Sequence, residues 1–422
     1  MTVQETANAH LADAAWLKSG AVKELLARLD RDGEEARVVG GAVRNALLHL
    51  AVSEVDVATT AVPDEVIRRV EAAGWKAVPT GIEHGTVTVV IGGTPFEVTT
   101  LRQDIETYGR KAKVVFGRDW TADAQRRDFT VNALSASADG TVYDYVGGLP
   151  DIAARRVRFI GDPAKRIAED YLRILRFFRF HAWYGAGAPD PAGLRACIVA
   201  RGGLVALSRE RVRMELLKLM LAPHAAPALA VMAEAGLLGA VLGGVPLLAS
   251  YENTVKAEAA AGLTADAVRR LGALGVLVEE DAARLAERLR LANAEADRLK
   301  ALEHWWRVSP ANGDHVARAL LYLLGPESFV DRVLIAWSRS PAGATDHAWR
   351  EFVSLPQRWS APAFPLKAAD LISRGIAAGP ELGAALRLAE EFWIEADFPL
   401  DRDALDALAD RAVREAGVRL RL

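Results

Sequence analysis

Cysteine is almost missing from this chain. Cys197 stands alone, which excludes an internal disulfide framework and any multi-cysteine metal site. A reducing cytoplasm fits that usage. No long apolar run suited to a membrane span is present, and the N-terminal MTVQETANAHLADAAWLKSG lacks the basic start and continuous apolar core of a secretion signal. A surplus of positive charge is absent too: the formal net charge is -3, so a nucleic-acid partner would have to be held by a local basic surface. No fixed-period repeat stands out. What remains, 422 residues with 51% hydrophobic and 25% charged, is material for two to four globular domains.

The most informative stretch is VVGGAVRNALLHLAVSEVDVATT, Val38 to Thr60. It reads as a short strand, a glycine pair, a helix carrying Arg44, and a second strand bearing Glu54 and Asp56. Gly40 and Gly41 lack a Cβ, so the chain can turn sharply and a bulky anion can approach the backbone. The helix that follows directs free N–H groups to the same place, and Arg44 adds a fork for phosphate oxygens. Glu54 and Asp56 are two apart, so a strand would project both carboxylates on one side. Paired hard oxygen ligands suit Mg²⁺ carried by a nucleoside triphosphate. Each piece alone is commonplace; their occurrence in one compact unit is the signal.

Around this unit the pattern is that of an α+β domain. Helical spacing runs from Leu11 to Asp32, with Val22, Leu25, Leu26 and Leu29 on one face, and Pro63 opens another helix reaching Ala73. Gly85 to Arg102 reads as two strands about the Gly92-Gly93 turn, with Glu97 either a third carboxylate beside the pair or a cross-strand surface charge. Gln103 to Ala124, with Gly109, Lys111, Lys113 and Arg118, reads as a long polar loop. RRDFTVNALSAS follows, charged at first and then a small buried helix. Of Arg126 and Arg127, one is expected to grip phosphate and the other to pair with an acid. Asp128 is open to two readings, an acceptor for a ribose hydroxyl or a helix N-cap. A hairpin is expected at Asp139-Gly140.

Beyond Pro163 the pattern is helical to the end, which places the main boundary near residue 160. RIAEDYLRILRFFRF sets Asp170 and Arg173 one helical turn apart, with Arg176 following, Arg179 further round, and Tyr171, Ile174, Leu175 and Phe178 facing a core. Such a pair is routine on a helix surface. Beside a phosphate cradle it is also a template for a base edge: cytosine and adenine each present an amino donor next to a ring-nitrogen acceptor, matching Asp170 and Arg173. Uracil and guanine set a carbonyl against the carboxylate, leaving buried polar groups unpaired.

Taken together, GGAVRN with its carboxylates, RRDFTVNAL, YDYVGGLPDI, EDYLRILRFFRF and LSRERVRMELLKLM, with FPLKAADLISRG and GPELG near the end, resemble the class II tRNA nucleotidyltransferases (CCA-adding enzymes) and the related bacterial poly(A) polymerases. The resemblance implies an α+β polymerase-β-like nucleotidyltransferase head over 1–160, a helical neck selecting the base over 161–225, and an all-α body and tail binding tRNA over 226–422. It implies addition of C, C and A to the tRNA 3′ end from CTP and ATP, with Mg²⁺ held by Glu54 and Asp56; Glu97 stays a candidate third carboxylate from its strand position alone. Gly41, Arg44 and Arg127 would bind the nucleotide, beside Gly40 and Asp128, which the residues themselves suggest, while Asp170 and Arg173 would read the base and Arg176 and Arg179 would assist. Lys165, Arg166, Arg209, Arg211 and Arg213 would help hold the tRNA. Two departures from the family pattern stand out: Glu54 replaces the usual Asp, and Asn45 replaces a common Asp, away from the direct ligands. No His-Asp dipeptide occurs, so an appended phosphohydrolase domain is not supported. Rival expectations are a poly(A) polymerase, a CC-only or A-only enzyme, and a non-catalytic RNA-binding protein. The tryptophans of the helical half, Trp305, Trp306, Trp337, Trp349 and Trp359, are expected in the core. The oligomeric state is not legible in the sequence.

Overall fold

A computed structural model describes residues 2–108 and 111–419 and divides the chain into two compact units, Met1–Val241 and Leu242–Leu422. Unit 1 begins with helices α1 (Val3–Ala12) and α2 (Gly20–Leu29), the latter burying Val22, Leu25, Leu26 and Leu29 as its spacing requires. Strand β1 (Ala36–Val39) is buried at every position and runs into α3 (Gly41–Leu47). There follow β2 (Asp56–Thr59), α4 (Pro63–Glu71, proline in its first turn), β3 (Lys76–Gly81), and the hairpin of β4 (Thr86–Ile91) and β5 (Thr94–Thr100).

The expected polar loop is instead a second hairpin, β6 (Arg102–Tyr108) with β7 (Lys111–Phe116), followed by α5 (Trp120–Gln125); Gly109 lies outside the described residues. Asp119 caps α5 by accepting from the N–H groups of Thr121 and Ala122. Nor does RRDFTVNALSAS become a helix. It makes one 3₁₀ turn, Thr130–Asn132, and then β8 (Ser135–Ala136), which pairs with β9 (Val142–Tyr143) across the expected Asp139-Gly140 turn. The main sheet has seven strands in the order β3-β4-β5-β2-β1-β8-β9, with β2 parallel to β5 and the other pairs antiparallel.

Helices α6 (Gly148–Ala153), α7 (Pro163–Glu169), α8 (Leu172–Tyr184), α9 (Pro191–Val199) and α10 (Arg209–Met220) complete the part of unit 1 that matters here. An aromatic cluster binds α8 to the sheet domain. Phe129 lies 4.8 Å from Phe159 and 5.3 Å from Phe180, and Phe159 stacks on Phe177 at 5.4 Å. The sheet and α8 are therefore one packed body, which fixes the distance between anything mounted on β1–α3 and anything mounted on α8.

Unit 2 is helical. Trp337 and Trp349 are buried and stack 6.3 Å apart, while Trp305 and Trp359 pack half-buried against the cores. Trp306 departs from expectation and is exposed. Buried Glu258 and Asp331 are neutralised by Arg269, Arg270 and Arg298, as buried charges must be. No helix among the described residues is long and apolar enough to cross a membrane. Burial pushes the lone Cys197 thiol up to about 12, which leaves it unreactive.

Candidate active site

A cavity of about 460 Å³ in unit 1 is lined by the β1–α3 turn (Gly40, Gly41, Arg44), the first residue of β2 (Asp56), the Arg126–Asp128 run with Asn132, and the start of α8. Residues more than a hundred positions apart in the chain thus share one chamber.

The two glycines do different work. Gly40 has φ 65° and ψ −112°, a conformation that glycine alone adopts cheaply, and its N–H donates to the Leu134 carbonyl. Gly41 has no such backbone demand; a Cβ there would meet only Arg44 Nη2, at 3.7 Å, and would otherwise stand in the cavity.

Arg44 is 6% exposed. Its guanidinium donates to Asn132 Oδ1, to Asn45 Oδ1 and, at 2.8 Å, to the Tyr184 hydroxyl, all neutral acceptors. Asn45 thus contacts Arg44, the phosphate-binding candidate. Burial without a bonded carboxylate lowers the Arg44 pKa. An anion entering the cavity would meet a positive charge that no bonded carboxylate neutralises.

The other cavity arginines are compensated. Arg126 and Arg127 both pair with Asp123, so the expected division of labour between them is replaced by a shared acid that sequence reasoning did not single out. Arg127 also donates to the Asn132 carbonyl at 3.3 Å. Asp128 caps no helix: one carboxylate oxygen accepts from its neighbour Phe129 N and from Asn132 Nδ2, the other from Arg176 at 2.8 and 2.6 Å. Burial pushes Asp128 upward, but the Arg176 charge and these hydrogen bonds prevail and hold it below the ordinary carboxylate range.

Asp170 and Arg173 both line the cavity, although not as neighbours on one continuous helix. The chain breaks between α7 and α8: Asp170 is extended, with φ −157°, and its carboxylate accepts from Leu172 N at 3.1 Å, which restarts the helix. Arg211 from α10 grips the same carboxylate at 3.2 and 2.6 Å. Arg173 pairs with Glu169 and donates to the Arg166 carbonyl. Two of the arginines expected to hold RNA thus turn inward, Arg211 to Asp170 and Arg166 to the carbonyls of Gln125 and Ile160. Arg176 lines the cavity, whereas Arg179 does not; it is engaged by Glu215 of α10 and lies over the Phe180 ring. The signal for Glu215 was its place in the LSRERVRMELLKLM stretch.

On the carboxylate side, Val57 of β2 partners Val98 of β5, so Asp56 and Glu97 occupy the preceding positions on adjacent strands, on the face opposite those buried valines. Glu54 lies before β2 rather than on it, because β1 pairs only as far as Val39 opposite Asp56 before turning into Gly40. Burial raises the Asp56 pKa, and the charges of Glu97 and then Glu54 raise it further, with Arg127 opposing. Asp56 lines the cavity while remaining open to solvent; Glu54 and Glu97 are exposed too and do not line it. Among the described residues no three acidic, histidine or cysteine side chains form a ready-made metal cage. The donor chemistry nonetheless fits a hard divalent cation, since oxygen ligands that repel one another are what such a cation relieves.

Comparison with known proteins agrees with this geometry. Residues 36–158 match the family model Poly A polymerase head domain, and residues 195–251 match Probable RNA and SrmB- binding site of polymerase A. The chain is 32% identical to the mitochondrial CCA tRNA nucleotidyltransferase 1 of Homo sapiens, covering 91% of this chain and 88% of that one. It is 31% identical to the CCA-adding enzyme of Limosilactobacillus fermentum, covering 91% and 94%. The solved structure of the Bacillus stearothermophilus CCA-adding enzyme in complex with CTP superposes with a TM-score of 0.74 at 29% identity, over 94% of this chain and 98% of that one. A glycine turn opening on the cavity, an acid at the head of β2 and an acid-arginine pair at the head of α8 thus belong to a chain whose near-full-length likeness to these relatives places it in the CCA tRNA nucleotidyltransferase family.

Proposed function

We propose that the protein adds C, C and A to the 3′ end of tRNA from CTP and ATP, the 3′-hydroxyl oxygen attacking the α-phosphorus and pyrophosphate leaving. The supporting observation is that one cavity unites Gly40, Gly41, Arg44 and Asp56 with Asp170 and Arg173. Arg44, with its uncancelled charge, suits the triphosphate, and Arg127, shared with Asp123, borders the same space. Asp128 already accepts four hydrogen bonds, so Arg176 and Asn132 hold it as a rigid wall, leaving less capacity for a ribose hydroxyl than an open carboxylate has. Asp170 retains acceptor capacity for a base amino group, and Arg173 supplies the donor for a ring nitrogen. Mg²⁺, when held by Asp56 with Glu54 and Glu97, would supply Lewis-acid activation of the attacking hydroxyl and charge neutralisation. The cytoplasmic setting belongs to the same reading.

The test is incubation with tRNA lacking CCA and with CTP and ATP, singly and together. Sequential C, C and A addition, lost in Asp56→Ala, is the expected outcome. Long A tracts with indifference to CTP would mean a poly(A) polymerase, and tRNA binding without incorporation of any nucleotide would mean a non-catalytic protein.

A further inference from the structure

Every element of the proposed mechanism that touches phosphate sits on the sheet domain, and every element that reads the base sits at the N-terminal end of α8. The far end of α8 carries a residue that neither role has absorbed. Tyr184, the last residue of that helix, receives a 2.8 Å hydrogen bond from Arg44 Nη2. Its ring also lies beneath the same guanidinium, whose central carbon is 3.9 Å from the ring centroid. Phe180, one turn back, contributes a second and more distant face at 5.3 Å.

We infer that Tyr184 is a positioning residue for the triphosphate, acting through Arg44. A long cationic side chain loses several rotors when held in one place, and a site that meets phosphate must hold it before the ligand arrives. Three neutral acceptors do so here: Asn45 and Asn132 from the sheet domain and Tyr184 from α8. A carboxylate in their place would hold the guanidinium as well but would cancel the charge that the phosphate needs. The phenol supplies a hydrogen bond and a π face without that cancellation. Because Tyr184 stands on the helix that begins beside Asp170 and Arg173, the arrangement also fixes the phosphate grip relative to the base-reading pair, and the triphosphate on which that grip acts is common to CTP and ATP.

The inference rests on reading Arg44 as the triphosphate's arginine, and the experiment separates the two. Steady-state incorporation is measured with CTP and with ATP for Tyr184→Phe, which keeps the ring, Tyr184→Leu, which keeps neither contact, and Arg44→Ala. Tyr184→Phe should raise KM for both nucleotides by the same factor, about 3–10-fold, and Tyr184→Leu by more, with kcat and the preference over UTP and GTP changed far less. In an Arg44→Ala background Tyr184→Phe should add nothing, since its effect passes through that guanidinium. Unequal effects on CTP and ATP, a fall in kcat with KM unmoved, or full additivity with Arg44→Ala would overturn the role of Tyr184. If Arg44→Ala itself leaves KM for both nucleotides unchanged, the triphosphate reading fails instead.

Discussion

Replacing Gly40 and Gly41 by alanine, one at a time, separates backbone strain from ligand clearance. At Gly40 an alanine must adopt φ 65° and ψ −112°, outside even the left-handed helical basin. Residues held in such sparsely populated regions cost about 1–3 kcal/mol. The new Cβ would stand 3.3 Å from Arg127 Nη1 and 3.4 Å from the Asn132 carbonyl, so Arg127 must loosen its 3.3 Å bond to that same carbonyl. For a unit of this size a kilocalorie corresponds to roughly 2–4 °C, so Gly40→Ala should lower the melting temperature of the first unit by roughly 2–12 °C. Gly41→Ala meets only a flexible guanidinium at 3.7 Å and sits at a helix start, so its stability should stay within about 0.5 kcal/mol of the parent. Its methyl group nevertheless projects toward the space assigned to phosphate, and KM for CTP and ATP should rise together. Calorimetry and steady-state kinetics on the two variants decide the matter. A Gly40→Ala protein that melts with the parent, or two variants with interchangeable behaviour, would refute the reasoning.

Two further outcomes follow from ion pairs in the same cavity. Asp128 lies below its ordinary value of 3.8, so it stabilises the fold above that value and loses the contribution as pH falls through its lower, folded value. Asp128→Asn should therefore destabilise at pH 7, on the order of 2 kcal/mol because Arg176 keeps partial access to water, and should flatten the acid-unfolding profile below about pH 4; an unchanged acid limb would contradict this. Arg211→Met removes a pair whose two side chains are each 31% exposed, so stability should fall by less than about 1 kcal/mol. Freed of Arg211, Asp170 can turn to Arg173, and incorporation of CTP relative to UTP should drop by roughly tenfold; intact discrimination would show that Arg211 does not hold the base-reading acid.

The local elements were legible because their determinants are local. A strand ending in Gly-Gly, the amphipathic spacing of α2, proline at the start of α4 and the Gly92-Gly93 turn depend on dihedral preferences and periodicity within a few residues. The Gly40 turn, Arg44, Asp56, Asp170 and Arg173 could be named as candidates for the same reason, each belonging to a short ordered motif. Periodicity failed where a side chain overrode it: Asp170 continues the helical pattern of its neighbours, yet its carboxylate caps Leu172 and breaks the helix. It failed also at the polar stretch after Arg102, where a strand pair formed despite a composition typical of loops.

What the sequence by itself determined, then, is the identity of the elements and the chemical types gathered along them. Which arginine answers an acid distant along the chain was decided only by tertiary packing. Asp123 answers Arg126 and Arg127 within one helical turn of chain, but Glu215 could take Arg179 and Asp170 could take Arg211 only once α10 had packed beside α8, and Arg44 could reach Tyr184 only once the phenylalanine cluster had locked α8 against the sheet domain. Apart from neighbours three or four apart on a helix, charge pairing is set by a few ångströms in space, and separation along the chain carries no information about it.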